Sequence, residues 1–315
     1  MAASVVVRWL ESGALREGGL ETLEAARASK SVWIDVLDPD RETLEALKVP
    51  LGLHPLAVED VLHDGQRPKT EQYEGNLFFV WVVPSKARNG GLHTCEIDVF
   101  LGDEWLLTSH AERVVAIDAV AADPACVLGR GPEWTLHAIL DRAVDDVFPL
   151  VDTIGDRLDT IGDRLLERVD RKVLPELHGT KRLLLSLHKV IGPERDALRE
   201  LSREQAYVSE EAYRYFQDIG DHLARVEDRV DTYRDVAASV MDVYLSAVNN
   251  QLNLVMKRLT VVATIFMPGT LVASIFGMNV GFPLRDSYLG MLGALAIIAG
   301  TSFGMYLAFK RSELW

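Results

Sequence analysis

Two stretches near the C-terminus, residues 259–276 and 288–309, contain no charged side chain. As a helix, each is long enough to cross a hydrocarbon core of about 30 Å. Residues 277–287 alone separate them, so the chain must place two apolar helices next to each other with a tight connection. Lys257 and Arg258 precede the first stretch, and Lys310 and Arg311 follow the second. The connection holds only Arg285 with Asp286. By the positive-inside rule both ends of this hairpin face the cytoplasm. The expectation is a multi-pass protein of the cell (inner or plasma) membrane, with cytoplasmic N- and C-termini.

The remaining chain has the character of soluble protein. Length suggests two domains with ample material for a core. Acids exceed bases, and the net charge is −14. Phosphate binding needs basic surface, so nucleic acid is not an expected partner, whereas cations suit this balance. The N-terminal MAASVVVRWLESG holds only three consecutive apolar residues before Arg8 and is not expected to act as a secretory signal. Cys95 and Cys126 form no redox or metal-ligand spacing. The bulk of the chain is expected in the cytoplasm.

The first third mixes strand and helix signals. β-Branched and aromatic segments at residues 5–9, 31–36, 76–83, 97–101 and 105–109 predict strands, and residues 40–47 and 54–62 predict short helices. This is a cytoplasmic α/β domain over residues 1–131. Residues 132–209 read as a helical hairpin region. Within it Asp-Thr-Ile-Gly-Asp-Arg-Leu occurs at 152–158 and again at 159–165. Ile154, Leu158, Ile161 and Leu165 fall at 4-3-4 spacing, the pattern of a packing helix with its charges outward. Helix is expected at 179–189 and 194–209, with a break near Gly192-Pro193. From residue 210 no proline occurs until Pro268. One helix of about 65 residues is expected, near 100 Å long at 1.5 Å per residue. Its stalk part covers 210–257 and its membrane part 258–279. An external loop follows at 280–287, then a second span at 288–309 and a cytoplasmic tail at 310–315.

A polar stripe runs along that long helix. Asp242, Ser246, Asn249, Asn253, Met256, Thr260, Ala263, Met267, Thr270, Ser274 and Gly277 follow one another at 4-3-4-3 spacing, so they share one face. Leu259, Val261, Val262, Ile265, Phe266, Leu271, Val272, Ile275 and Phe276 suit lipid or neighbouring helices, with Thr264 the one polar exception. Small and hydroxylated residues at such spacing also make plain helix-packing interfaces. The unbroken length of this face favours a water-filled axis instead, because buried amides without partners are costly. One helix cannot make a pore, so the stripe implies a ring of copies. Met256 and Met267 would be apolar constrictions where a gate can dewet.

Gly277-Met278-Asn279, closing the first of two C-terminal spans after Met267-Pro268, resembles the signature of the CorA-type (GMN-motif) divalent metal ion transporters. Upstream, His54-Pro-Leu-Ala-Val-Glu-Asp60 with Gln66-Arg-Pro-Lys69 is similar to the family's cytoplasmic pattern. Asp242-Val-Tyr-Leu-Ser246 and Met256-Lys257-Arg-Leu-Thr260 resemble its stalk and pore entrance. The resemblance implies a funnel-shaped homopentamer with an α/β cytoplasmic domain, a long pore-lining stalk helix and an outer helix ring. It implies uptake of Mg²⁺, with Co²⁺ and Ni²⁺ often carried as well. It places Gly277, Met278 and Asn279 at a selectivity filter, where a ring of Asn amides would bind the hydrated ion through its waters. Asn253 would repeat that role at the inner end, and Asp242 would form a carboxylate ring below it. The resemblance further implies a regulatory Mg²⁺ between subunits, held by Asp60 beside Glu59 and by Asp218, with His222 as a further candidate ligand.

After Asn279 the chain reads Val-Gly-Phe-Pro-Leu-Arg-Asp, where the magnesium branch often carries an acidic Met-Pro-Glu. That loop is nearer the zinc-transporting branch, so Zn²⁺ stays open as the cargo. A non-conducting, membrane-anchored regulatory protein is the alternative of a different class. No Gly-rich phosphate loop, nucleophile–base pair or zinc triad points to an enzyme.

Overall fold

The computed structural model describes residues 3–63, 65–87, 91–167, 170, 172–278, 281 and 287–311. The elements in chain order are β1 (Ser4–Glu11), β2 (Ala14–Gly18), α1 (Leu23–Ala26), β3 (Val32–Leu37), α2 (Arg41–Leu51), α3 (Pro55–Val61), β4 (Lys69–Tyr73), β5 (Asn76–Lys86), β6 (Leu92–Leu101), β7 (Trp105–His110), α4 (Val115–Ala122), α5 (Ala125–Leu128), α6 (Pro132–Asp145), α7 (Val147–Glu167), α8 (Val173–Arg203), α9 (Glu210–Gly277) and α10 (Tyr288–Arg311). The chain forms two compact units, and their boundary falls inside α9, between Met241 and Asp242.

The first unit is built on a seven-stranded sheet in the order β2-β1-β3-β7-β6-β5-β4. Only β3 and β7 run parallel. Helices cover both faces, so the central strands are buried on both sides and read as nearly continuous apolar runs. Along β5, Phe78 and Val80 join a core with α2 and α3. Leu77, Phe79 and Trp81 point the other way, into a larger core with α6, α7, α8 and α9. All five strands expected from the sequence are present. The sequence reading missed β2 and β4. Both are short and polar, and both form hairpins through turns with positive φ, at Ser12-Gly13 and at Gly75. They pair by backbone, with little apolar pattern to announce them.

The repeated heptads of α7 lie as expected: Ile154, Leu158, Ile161 and Leu165 are all buried. The expected break at Gly192-Pro193 does not occur, because α8 runs unbroken through Pro193 and ends at Arg203 rather than at 209. An interior proline costs about 3 kcal/mol. Beyond it α8 buries Ala197, Leu198 and Leu201 against the core. At roughly 1.5–3 kcal/mol for each large side chain, that burial outweighs the lost bond. The long helix starting at residue 210 is present and spans 68 residues, again through an interior proline, Pro268.

The second unit contains the remainder of α9 and α10. Both helices have windows long and apolar enough to cross a membrane, and very little of either window is buried.

Candidate functional site

All eleven stripe residues from Asp242 to Gly277 lie on α9 and are exposed. A second row, on the other side of α9, is covered. Val261 is buried, and Ile265, Pro268, Gly269, Val272 and Phe276 are half-buried. At about 100° per residue the two rows point in nearly opposite directions. Helix α10 accounts for the covered row. Ser302 Oγ donates to the Ile265 carbonyl oxygen at 3.2 Å. A Cβ placed on Gly269 would sit 3.2 Å from Ile298 Cγ2. On α10 the half-buried residues Ala294, Ile298, Ser302, Met305 and Phe309 mark the matching face.

The hydroxyls of the stripe have a defined orientation. Thr260 Oγ1 donates to the Met256 carbonyl at 2.9 Å, and Thr270 Oγ1 to the Phe266 carbonyl at 3.1 Å. Their protons are thereby committed inside the helix, and the oxygens keep acceptor capacity for a partner outside it. An acceptor-rich face suits a cation or the waters around it. Gly277 and Met278 are exposed at the end of α9. Asn279, with most of the loop that follows it, lies outside the described residues.

The four carboxylate and imidazole candidates of the first unit do not form one cluster. Asp60 lies on α3 and Asp218 on α9, helices that pack on opposite faces of the sheet. Within one chain no metal joins them, and among the described residues no group of three His, Cys, Asp or Glu side chains is arranged to hold one. Glu59 and Asp218 are exposed. His222 Nε2 lies 3.5 Å from Asp218 Oδ2, its Nδ1 lies 4.0 Å from Asp145 Oδ1, and its ring meets Phe148 edge-on.

Asp60 has a partner that the sequence reading did not assign. Lys69 Nζ lies 2.6 Å from Asp60 Oδ2 and 2.9 Å from Glu71 Oε1. Tyr73 completes the group by donating to Glu71 Oε2 at 2.6 Å. Burial opposes the Lys69 charge, yet its bonds to Asp60 and Glu71 outweigh that and hold the ammonium above its ordinary pKa. Burial, together with the bond to Glu71, pushes the Tyr73 phenol up to about 12. Lys69 stands inside the motif Gln66-Arg-Pro-Lys69, but its pairing with Asp60 depends on β4, whose polar sequence gave no strand signal.

Comparison with known proteins decides the family. The family described as CorA-like Mg²⁺ transporter protein matches residues 28–311. The chain belongs to the CorA-like family. A Thermotoga maritima protein named cobalt/magnesium transport protein CorA is 32% identical over 305 residues, covering 91% of this chain and 84% of that one. The solved structure of the CorA magnesium transporter from Methanocaldococcus jannaschii superposes with a TM-score of 0.86 at 25% identity, over 99% of both chains. A zinc transport protein, ZntB of Pectobacterium atrosepticum, is more distant, at 24% identity over 78% of this chain and 76% of its own. The CorA-like assignment agrees with the α/β domain, long helix and two apolar helices read from the sequence, and with the expectation of a transporter rather than an enzyme.

Proposed function

We propose that this chain, a divalent-cation transporter by family, carries Mg²⁺ through an axis formed by the α9 stripes of a homopentamer. Co²⁺ and Ni²⁺ are secondary cargoes. One observation carries the reading: α10 covers one side of the membrane part of α9, and the polar stripe on the opposite side is left exposed. A single hairpin in lipid would leave those polar groups facing hydrocarbon, which is costly. A ring of hairpins with α9 inside and α10 outside turns the stripe toward water.

Asn279 supplies the outer ring that selects the hydrated ion, with Gly277 and Met278 shaping its support. Asn249 and Asn253 offer amides further in, and Asp242 a carboxylate ring. Met256 and Met267 give the narrow apolar levels between them, and the small Ala263 leaves room. Both termini are cytoplasmic in the cell membrane. A regulatory Mg²⁺ bound between Asp60 of one subunit and Asp218 of the next, with Glu59 and His222 beside them, holds the closed ring together. The opposite-face placement of α3 and α9 supports this, since a metal touching both residues requires two chains. Loss of the ion lets the subunits part, a population shift set by differential affinity.

The preference for Mg²⁺ over Zn²⁺ rests on the greater similarity to a cobalt/magnesium relative than to a zinc relative. The test is metal flux into proteoliposomes, Mg²⁺ against Zn²⁺, for the wild type and Asn279→Ala. The wild type is expected to carry Mg²⁺, and Asn279→Ala to lose most of that flux. A wild type that carries only Zn²⁺ reassigns the cargo, and unchanged flux in Asn279→Ala removes the ring.

A further inference from the structure

The cleft between the C-terminal half of α8 and the start of α9 plays no part in the transport reading, and its charged lining is mostly basic. The chain carries a net charge of −14, yet this cleft is lined by Arg195, Arg199 and Arg203. The three follow one another at intervals of four along α8, so they share one side of the helix. Like charges at that spacing destabilise a helix by themselves. Arg195 is anchored by Glu227, with Nη1 2.5 Å from Oε2. Its Nε is buried and has no hydrogen-bond partner. Among the described residues no carboxylate pairs with Arg199 or Arg203. Asp221 is the one acid on the lining.

The α9 wall supplies room and one further donor. Gly220 lies on that wall, and a Cβ added there would find its nearest neighbour, Leu198 Cδ2, at 4.0 Å. Close packing therefore does not demand a glycine at that point, and its small size leaves the floor of the cleft open. Tyr213 accepts from Gln217 Nε2 at 2.8 Å, which leaves the phenol proton free to donate. The cleft encloses about 410 Å³, within the roughly 300–1,000 Å³ typical of ligand pockets.

We propose that this cleft binds a phosphate-bearing anion, with Arg199 and Arg203 as its principal contacts and the Tyr213 phenol as a further donor. Guanidinium groups present paired N–H donors that match phosphate oxygens, and charge-assisted bonds of this kind are the strong ones. A bound polyphosphate also relieves the repulsion along α8. An extended phosphate chain, free or carried by a nucleotide, engages both of these arginines at once. The site shares no residue with the pore or the regulatory metal, so it stands or falls separately from the transport reading.

The test is calorimetric titration of the full chain in detergent with tripolyphosphate, in divalent-free buffer at fixed ionic strength. Wild type is expected to bind one ion per chain saturably. Arg199→Gln/Arg203→Gln is expected to weaken that binding by at least roughly tenfold. Gly220→Leu, which fills the cleft without changing charge, is expected to weaken it as well. Circular dichroism checks that both variants remain folded. Titration with ATP separates the sources: tighter binding than tripolyphosphate assigns a nucleotide, and equal binding assigns the phosphate chain alone. The proposal is overturned if tripolyphosphate gives no saturable binding, if sulfate reproduces its response, or if the double-arginine variant binds as wild type does.

Discussion

Ser302 on α10 donates its hydroxyl to the carbonyl oxygen of Ile265 on α9 across 3.2 Å. One turn further along α9, Gly269 approaches Ile298 so closely that an added Cβ would stand 3.2 Å from Cγ2. These contacts fix which side of α9 its own hairpin partner occupies, and so which side is left for the polar stripe. Gly269→Val is expected to push the helices apart and to lower the thermal stability of the detergent-solubilised protein clearly. Ser302→Ala removes one interhelical bond, worth about 0.6 kcal/mol in comparable membrane proteins, and is expected to do so only slightly. A Gly269→Val melting temperature equal to wild type would show that the helices do not pack through this row.

The bond between Lys69 and Asp60 sets up a competition. A divalent ion that engages Asp60 competes for its carboxylate with an ammonium already 2.6 Å from Oδ2. Lys69→Met removes the competitor while keeping a long apolar stem. It is expected to tighten Mg²⁺-dependent protection from proteolysis, shifting the protective concentration several-fold lower. Asp60→Ala with Asp218→Ala is expected to abolish the protection. Lys69→Met with an unchanged Mg²⁺ midpoint would mean that Asp60 takes no part in the regulatory site.

That competition marks where sequence reading ran out. The stripe was legible because its 4-3-4-3 spacing is a property of one helix, and the structure leaves every member of it on an exposed face. The apolar strands β3, β5, β6 and β7 were legible because burial on both faces enforces Val, Ile, Phe and Trp. Lys69 as the partner of Asp60 was not legible. The pair is made by β4, a Lys-Thr-Glu-Gln-Tyr strand recruited as a neighbour of β5, and no local pattern records which helix it will lie beside. The continuation of α8 through Pro193 was hidden for a related reason. Local chemistry argued for a break, and tertiary burial of Leu198 and Leu201 decided otherwise.

Glu194, the residue after Pro193, is 1% exposed, and its Oε1 has no hydrogen-bond partner. Burial pushes its carboxyl well above the ordinary range, opposed only by the backbone amide of Val82. An acid whose pKa is raised by folding takes up a proton on folding. Its penalty is absent below the unfolded pKa and grows as pH rises toward the folded one. Glu194→Gln keeps the shape and removes the ionisation. The variant is expected to melt higher than wild type at pH 8, with the gap closing toward pH 4. A gap that is constant across this range, or that widens in acid, contradicts a neutral Glu194.

Thr264 and Thr270 offer a matched pair for testing the stripe. Both hydroxyls donate to the carbonyl four residues back, at 2.8 Å and 3.1 Å, so valine removes the same kind of bond from the same helix in each case. They differ in direction. Thr270 is exposed on the stripe, and Thr264 is half-buried on the flank between the stripe and the row covered by α10. If the stripe lines the ion path, Thr270→Val strips an acceptor oxygen from the axis, and Thr264→Val does not. Mg²⁺ flux in proteoliposomes is expected to fall several-fold for Thr270→Val and to stay near wild type for Thr264→Val, with the two variants equally stable. Equal loss in both would trace the effect to helix stability, and equal retention would place the ion path away from this face of α9.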